Sequence, residues 1–457
     1  MWRQVPGTAA LAGSGRFPYH VFPQGPGESR CVRKQLLKLW NTAQPALRLP
    51  RLWTAYLLRA LLWRTTFIAI TGSNGKTTAT RCLAAILGSQ APTQSTRINR
   101  NTMPGITETI AFCNPFRTRY AVLEVGAGKP GAIGKAARLI RPDIAVVLSV
   151  FLEHRALFRT LEAVAQEKTR LLTGLVPGGT AVINADDPWV RAMAVPQGRG
   201  RIYFGTSADC EVRCEDVVSA WPRLLSFTVV VRDQRQQIRT RLLGTHWTGP
   251  LLAAIAVADH LGMPLDRIAH AIAEMVPYPG RMQVLRLPGG AVVIRDEYKG
   301  SLHTVEAAFA ELRKARAARK FLVFCDLAES SLSPRERLAK VGREAAELAD
   351  YVIFIGESAQ HGVDGARKAG FAASRALAFD GYSEAAEFLR PLLGPDDLLL
   401  LKASRNNQLT RLLYALLGEV RCTIPACSRP MVCDDCDRFK NPELVRRVNE
   451  QLTVRLD

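Results

Sequence analysis

The chain has 457 residues, enough for two or three domains with separate cores, and its 47% apolar and 22% charged residues are ordinary for a soluble globular protein. No stretch approaches the ~20 apolar residues of a membrane span; Leu52 to Trp63 is too short and holds Arg59, and Met1 to Arg30 is too broken by Pro, Gly and charge for a secretory signal. The formal net charge of +20 points to an anionic partner such as a nucleotide, a phosphorylated sugar carrier, nucleic acid or acidic lipid, but the excess is mostly scattered arginine, which reads equally well as a solvated surface.

In chain order, residues 1–30 have the composition of a disordered leader. Residues 31–64 read as helical, basic and amphipathic, with apolar Val32, Leu36, Leu39 and Trp40, then Leu52, Tyr56, Leu57, Ala60 and Leu61. Packing on the next domain is the expectation for this segment, and peripheral contact with an anionic membrane surface is the alternative. Residues 65–285 alternate strands and helices. Phe67 to Ile70 is a buried strand, followed by Gly72-Ser73-Asn74-Gly75-Lys76-Thr77-Thr78 and a helix from Ala79 to Leu87. Strand, glycine loop, Lys-Thr and helix form a phosphate cradle, in which backbone N–H groups turn inward, Lys76 adds charge and Thr77 offers a hydroxyl to magnesium. The loop is a shortened G-x-x-G-K-T, since Ile70 stands where another Gly is usual.

Tyr120 to Val125 is a strand carrying Glu124 near its end, Ile144 to Val150 a strand preceding His154, and Thr180 to Asn184 a further strand; Ile202 to Leu243 has antiparallel character. A carboxylate and an imidazole near Thr77 suit a hard divalent ion beside phosphates. Residues 286–420 form a second unit with strands at 292–294, 321–324, 351–355 and 398–401. The expected fold class is therefore α/β, a P-loop mostly parallel central sheet followed by a smaller Rossmann-like C-terminal domain. Residues 421–457 are a Cys-rich tail with a polar helix. Cys422, Cys427, Cys433 and Cys436 could form a zinc site or an iron–sulfur cluster, with free or redox cysteines as the alternative. Ten scattered cysteines around a nucleotide loop fit a reducing cytoplasm. No aromatic-basic module supports nucleic-acid binding.

Several motifs together resemble the Mur ligase family over about residues 66–418: Thr71 to Thr78, Glu124-Val-Gly-Ala-Gly-Lys-Pro-Gly, Val150 to His154, Lys168, Asn184-Ala-Asp186-Asp187, Gly244-Thr-His246 and Pro279-Gly280-Arg281. Trp247 replaces the Asn of the family's G-x-H-N. In the C-terminal half, Asp296-Glu-Tyr298-Lys299, Cys325-Asp326-Leu-Ala-Glu329 and Leu401-Lys402-Ala-Ser404-Arg405 are most similar to the family's D-alanyl-D-alanine-adding branch, with Lys299 in place of an Asn. The resemblance implies an ATP- and magnesium-dependent ligase that activates a carboxylate as an acyl phosphate and joins it to an amine. It implies catalytic roles for Lys76, Lys168 (as a carbamate), Lys402 and Arg405. Nucleotide contacts would come from the loop residues 72–78 with Asn184, Asp187, His246, Arg281 and Asp296, and magnesium ligands from Thr77, Glu124, His154 and Lys168. The family's UDP-gripping N-terminal domain has no counterpart in residues 1–64, so a standard UDP-muramyl peptide is not the expected acceptor, though a nucleotide-linked or phosphorylated carrier remains compatible. The alternatives are a cell-wall ligase completing the muramyl pentapeptide, with its UDP site rebuilt from the short N-terminus or a partner subunit, and an inactive nucleotide-binding subunit.

Overall fold

The computed structural model describes residues 48–98, 100–152, 158–328, 332–418, 422, 427, 433–436 and 441–454. The expected leader and the first half of the basic segment, residues 31–47, lie outside the described residues, as do His154 and Glu329.

Two sheets carry the fold. The first has nine strands: β1 (Thr66–Thr71), β2 (Thr93–Ser95), β3 (Tyr120–Glu124), β4 (Ile144–Val147), β5 (Thr180–Asn184), β6 (Gly200–Gly205), β7 (Val212–Ala220), β8 (Arg223–Val231) and β9 (Gln234–Arg239). Their order is β2-β3-β1-β4-β5-β6-β7-β8-β9, parallel from β2 to β7 and antiparallel across β7, β8 and β9. β1 is buried on both faces, as its β-branched run requires of a central parallel strand. Ile68 and Ile70 join the core of the helix Lys76–Gly88 through Cys82 and Leu83. Phe67 and Ala69 join the opposite core with Leu139 and Ile140. Because β3 lies on one side of β1 and β4 on the other, the strand order switches at β1, which opens a crevice beyond the strands' carboxyl ends.

The second sheet contains β10 (Gln283–Arg286), β11 (Val292–Asp296), β12 (Lys320–Phe324), β13 (Tyr351–Ile355), β14 (Ala376–Phe379) and β15 (Leu398–Lys402), ordered β10-β11-β15-β12-β13-β14. Only β10 runs antiparallel. This is the α/β architecture that the alternating pattern implied, with a smaller, mostly parallel second sheet. One face of this sheet, through Val292, Ile294 and Leu322, belongs to the same apolar cluster as the first domain. No helix among the described residues is long and apolar enough to cross a membrane.

The helix Arg48–Leu61 lies on the first domain. Ala55 and Leu62 are buried, and Arg59 donates to the carbonyls of Ile140 (2.6 Å) and Arg141 (2.9 Å) with its guanidinium 3.9 Å above the Phe67 ring.

Among the described residues the tail shows no metal site of the kind expected. All four cysteines are described, yet among the described residues no three Cys, His, Asp or Glu side chains are grouped to hold a metal. The zinc expectation therefore finds no support among the described residues, and neither does the iron–sulfur alternative. Cys433 is buried with its Sγ 3.1 Å from Gln408 Oε1, and burial pushes its thiol up to about 12, which keeps it protonated. The tail is held instead by Asp434. Its carboxylate takes a bidentate pair from Arg295 Nη1 and Nη2, both at 2.9 Å, and accepts from Tyr414 Oη (3.1 Å) and Asn449 Nδ2 (3.3 Å). Arg295 is fully buried and also pairs with Glu297 at 2.6 Å. Burial opposes its charge, but Asp434 and Glu297 hold it well above its ordinary pKa. Removing one partner of such a pair strands a buried charge. Asp434→Ala should therefore destabilise the protein by about 3–5 kcal/mol in urea unfolding, while prolonged dialysis against EDTA should leave the midpoint unchanged; a midpoint that falls with chelator would restore a metal to the tail.

Candidate active site

The loop after β1 is fixed by its neighbours. Gly75 has φ +80°, and a Cβ there would stand 2.6 Å from Pro250 Cγ; at Gly72 it would stand 2.8 Å from Leu148 Cβ. Both positions therefore require glycine. Ser73 locks the turn to the exit of β4, its N–H donating to Ser149 O (2.9 Å) and its Oγ accepting from Phe151 N (2.8 Å), while Asn74 N donates to Ser149 Oγ at 3.0 Å. The helix begins at Lys76, so its N-terminal amides face the crevice. Lys76 Nζ donates to the loop's own carbonyls of Gly72 (2.5 Å) and Ser73 (2.8 Å), which carries its charge across the cradle.

Asn184 and Asp187 stand one step back. Asn184 Nδ2 donates to Leu148 O at 2.7 Å, and Asp187 Oδ2 accepts from Val150 N at 2.7 Å while Oδ1 caps the short helix Pro188–Arg191. They hold the β4 exit that in turn holds the loop. Glu124, at the end of β3, is almost fully buried; its Oε1 accepts from Asn101 Nδ2 at 2.9 Å. Lys168 sits on the helix Leu161–Leu172, also nearly fully buried. The neighbouring Glu167 accepts from the amides of Gly131 (2.8 Å) and Ile133 (2.9 Å), which fixes that helix to the loop following Glu124.

A cleft of about 460 Å³ joins these groups to the second sheet. The P-loop residues 72–77, Glu124 and Lys168 line one wall, and Arg281, Tyr298, Lys299, Ser404 and Arg405 the other. Among the described residues its charged lining is thus Lys76, Lys168, Arg281, Lys299 and Arg405, with the carboxylate of Glu124. Lys299 Nζ reaches Asn74 Oδ1 across the cleft at 3.5 Å. Arg281 lies 4.4 Å over the Tyr298 ring, and its Nε is buried without a hydrogen-bond partner. An orphaned guanidinium donor in a cationic cleft fits a phosphate oxygen.

Thr78, Asn184, Asp187, His246, Asp296 and Lys402 do not line this cleft. His246 is exposed and packs against Trp247 with ring centroids 4.4 Å apart. Lys402 is fully buried and ends β15 directly beside Asp296 at the end of β11. Its Nζ meets Asp296 Oδ2 (2.6 Å), Lys299 O (2.7 Å) and Thr304 Oγ1 (3.0 Å). Burial pushes the Asp296 carboxyl up to about 6 against the pull of Lys402. Asn101, Phe151 and Phe158 line the cleft without having been singled out in the sequence. The only local hint for Asn101 is its place in the turn after β2, and its contact with Glu124 is non-local.

Residues 70–258 match the Mur ligase middle domain, and residues 280–405 match the Mur ligase glutamate ligase domain. The UDP-N-acetylmuramoyl-tripeptide–D-alanyl-D-alanine ligase of Mycobacterium tuberculosis is 29% identical over 397 residues, covering 82% of this chain and 77% of that one. The Escherichia coli enzyme of the same name is 30% identical over 293 residues, 64% of each chain. Among solved structures, MurF from Acinetobacter baumannii superposes with a TM-score of 0.74 at 25% identity, covering 81% of this chain and 80% of that one. The MurF ligase of Thermotoga maritima in complex with ADP shares the fold, with a TM-score of 0.67, 24% identity and coverage of 80% and 84%. With its loop, cleft and both matched domains in one chain, the protein belongs to the Mur ligase family of ATP-dependent, C–N bond-forming ligases.

Proposed function

We propose that this ligase joins the peptide carboxylate of a muramyl-tripeptide acceptor to the amine of D-alanyl-D-alanine, in the cytoplasm where ATP is available. The observation that carries the reading is a cleft whose two walls present a P-loop and the cations Arg281, Lys299 and Arg405 to one another. The relatives' named reaction supplies the substrates, and it favours the muramyl acceptor over the non-standard acceptor expected from the lack of a UDP-gripping domain in residues 1–64. Magnesium would be held by Thr77, Glu124, His154 and Lys168, and when bound with ATP it neutralises phosphate charge during transfer.

The chain's own residues have distinct tasks in this reading. The loop amides and Lys76 hold the nucleotide phosphates. Lys299 and Arg281 come from the other wall toward the transferred phosphoryl group. An acceptor carboxylate oxygen then attacks the γ-phosphorus, the β–γ bridging bond breaks, and ADP leaves. The walls shield the resulting acyl phosphate from water until the amine attacks its carbonyl carbon and phosphate departs, the amine's proton passing to solvent. Ser404 and Arg405 sit on the loop that would orient the acceptor, and the buried Lys402–Asp296 pair sets that loop's starting point.

ADP release with UDP-N-acetylmuramoyl tripeptide and D-alanyl-D-alanine is the direct test. Turnover requiring both substrates is the expected result. Release with D-alanyl-D-alanine and only a different carboxylate would overturn the acceptor, and no release with D-alanyl-D-alanine would overturn the amine.

Lys168 should carry a carbamate, since a neutral amine cannot serve magnesium as an oxygen ligand does. Carbon-13 NMR in labelled bicarbonate should show one slow carbamate signal in the wild type and none in Lys168→Ala. That variant should lose activity on the order of 100-fold and recover part of it with short carboxylic acids. Normal turnover without rescue would end the metal assignment.

A pH dependence follows from Asp296. Its carboxyl titrates at about 6, so below that pH the proton is bound, the charge pair is lost and Lys402 stands buried without a counter-ion; above it the pair is intact. The kcat/KM for ATP should fall as pH drops through about 6, and Asp296→Asn should abolish this acid limb while lowering the plateau. An unchanged acid limb in the variant would assign it to another group.

A further inference from the structure

Eight large apolar side chains are exposed among the described residues, and six of them, Trp53, Tyr56, Leu57, Leu61, Trp63 and Phe116, belong to one neighbourhood. In the helix Arg48–Leu61, Trp53, Leu57 and Leu61 follow an i, i+4, i+8 spacing and stand on one side. They are 71%, 67% and 60% exposed, while the side bearing Ala55 and Leu62 is the one packed on the core. Trp63, 76% exposed, continues the patch past the helix end. Phe116, 89% exposed, is brought beside it because its loop is tied to the same segment: Thr65 Oγ1 donates to Thr118 O at 2.7 Å and Arg119 Nη1 to Arg64 O at 3.2 Å. A helix apolar on both sides, with only one side covered among the described residues, needs an occupant for the other.

Charge selects that occupant. Arg64, Arg117 and Arg119 are exposed around the patch, and Arg64 lies 4.8 Å over the Trp63 ring. From Ser29 to Thr107 the sequence holds no Asp or Glu at all. A second copy docked through this face would oppose arginine to arginine. Residues 29–47, which precede the helix, carry Arg33, Lys34 and Lys38 and would bring like charge as well. Tryptophans and arginines at one level, with leucines between, match a lipid–water interface of negative charge. We propose that this face seats the ligase on an anionic membrane surface. None of the six apolar side chains lines the catalytic cleft, so seating leaves the cleft free.

Co-sedimentation of the full chain with large phosphatidylcholine vesicles, with or without phosphatidylglycerol, tests this. The wild type should pellet with the anionic vesicles, and its tryptophan emission should shift to the blue. A triple variant, Trp53→Gln, Leu57→Gln and Trp63→Gln, keeps every charge; its partition should fall about tenfold or more while its unfolding midpoint stays near that of the wild type. Equal binding by the triple variant would reduce the effect to the net charge of +20 and overturn the proposal. A wild type that fails to bind, because residues 1–47 or a second copy cover the face, would overturn it too.

Discussion

The turn from β1 into the helix Lys76–Gly88 is the constraint on which the cleft depends. Its shape comes from packing: Leu148 closes on Gly72, Pro250 closes on Gly75, and Ser73 is bonded to both sides of the β4 exit. The loop amides are therefore oriented before any ligand arrives, which would lower the ordering cost of binding the phosphate proposed for this loop. Pro250 belongs to the helix Thr248–His260, which is buried along nearly its whole length. A segment remote in sequence thus sets the geometry of the loop. Asn184 and Asp187 act in the same indirect way, through the backbone of Leu148 and Val150.

The second sheet is constrained from both of its faces by a single strand. Successive residues of β11 point to opposite sides. Asp296 turns toward Lys402, while Arg295 and Glu297 turn to the other face and meet Asp434 and Thr410. The tail is consequently part of the C-terminal core, where Cys433, Leu444 and Val448 are buried with Leu409 and Leu412. Two buried cations on adjacent strands would be costly in isolation. Each is matched here by a carboxylate at 2.6–2.9 Å, so the end of the sheet facing the cleft is pinned.

Legibility in the sequence followed sequence separation. The phosphate loop was readable because strand, glycines, Lys76 and Thr77 are contiguous and each has a local physical reason. Glu124 was readable as a polar residue closing an apolar strand. The sheet order, by contrast, depends on which strands pair, and nothing local in β15 says that it slots between β11 and β12. Asn101 on Glu124, Glu167 on the amides of 131 and 133, and Lys299 across from Asn74 all join distant segments, so no spacing announces them. The tail misled for the same reason. Four cysteines in a short stretch suggest a metal, whereas the residue that anchors the stretch is Asp434, whose partner lies in another element.

Net charge alone says little about a ligand, but its local distribution says more. Among the described residues, five cations and one carboxylate line about 460 Å³ and give this part of the cleft a positive interior between low-dielectric walls. That field suits a polyphosphate and resists a bare acceptor carboxylate leaving early. It does not by itself suit magnesium, which wants oxygen ligands and repels ammonium groups. Under the proposed carbamate the balance changes at one atom: Lys168 turns from a cation into an anion beside Glu124. The cleft then has a carboxylate pair at its β3 end for the metal and cations at its second-sheet end for the transferred phosphoryl group. One modified side chain would thus separate the two jobs that a uniformly cationic cleft cannot perform together.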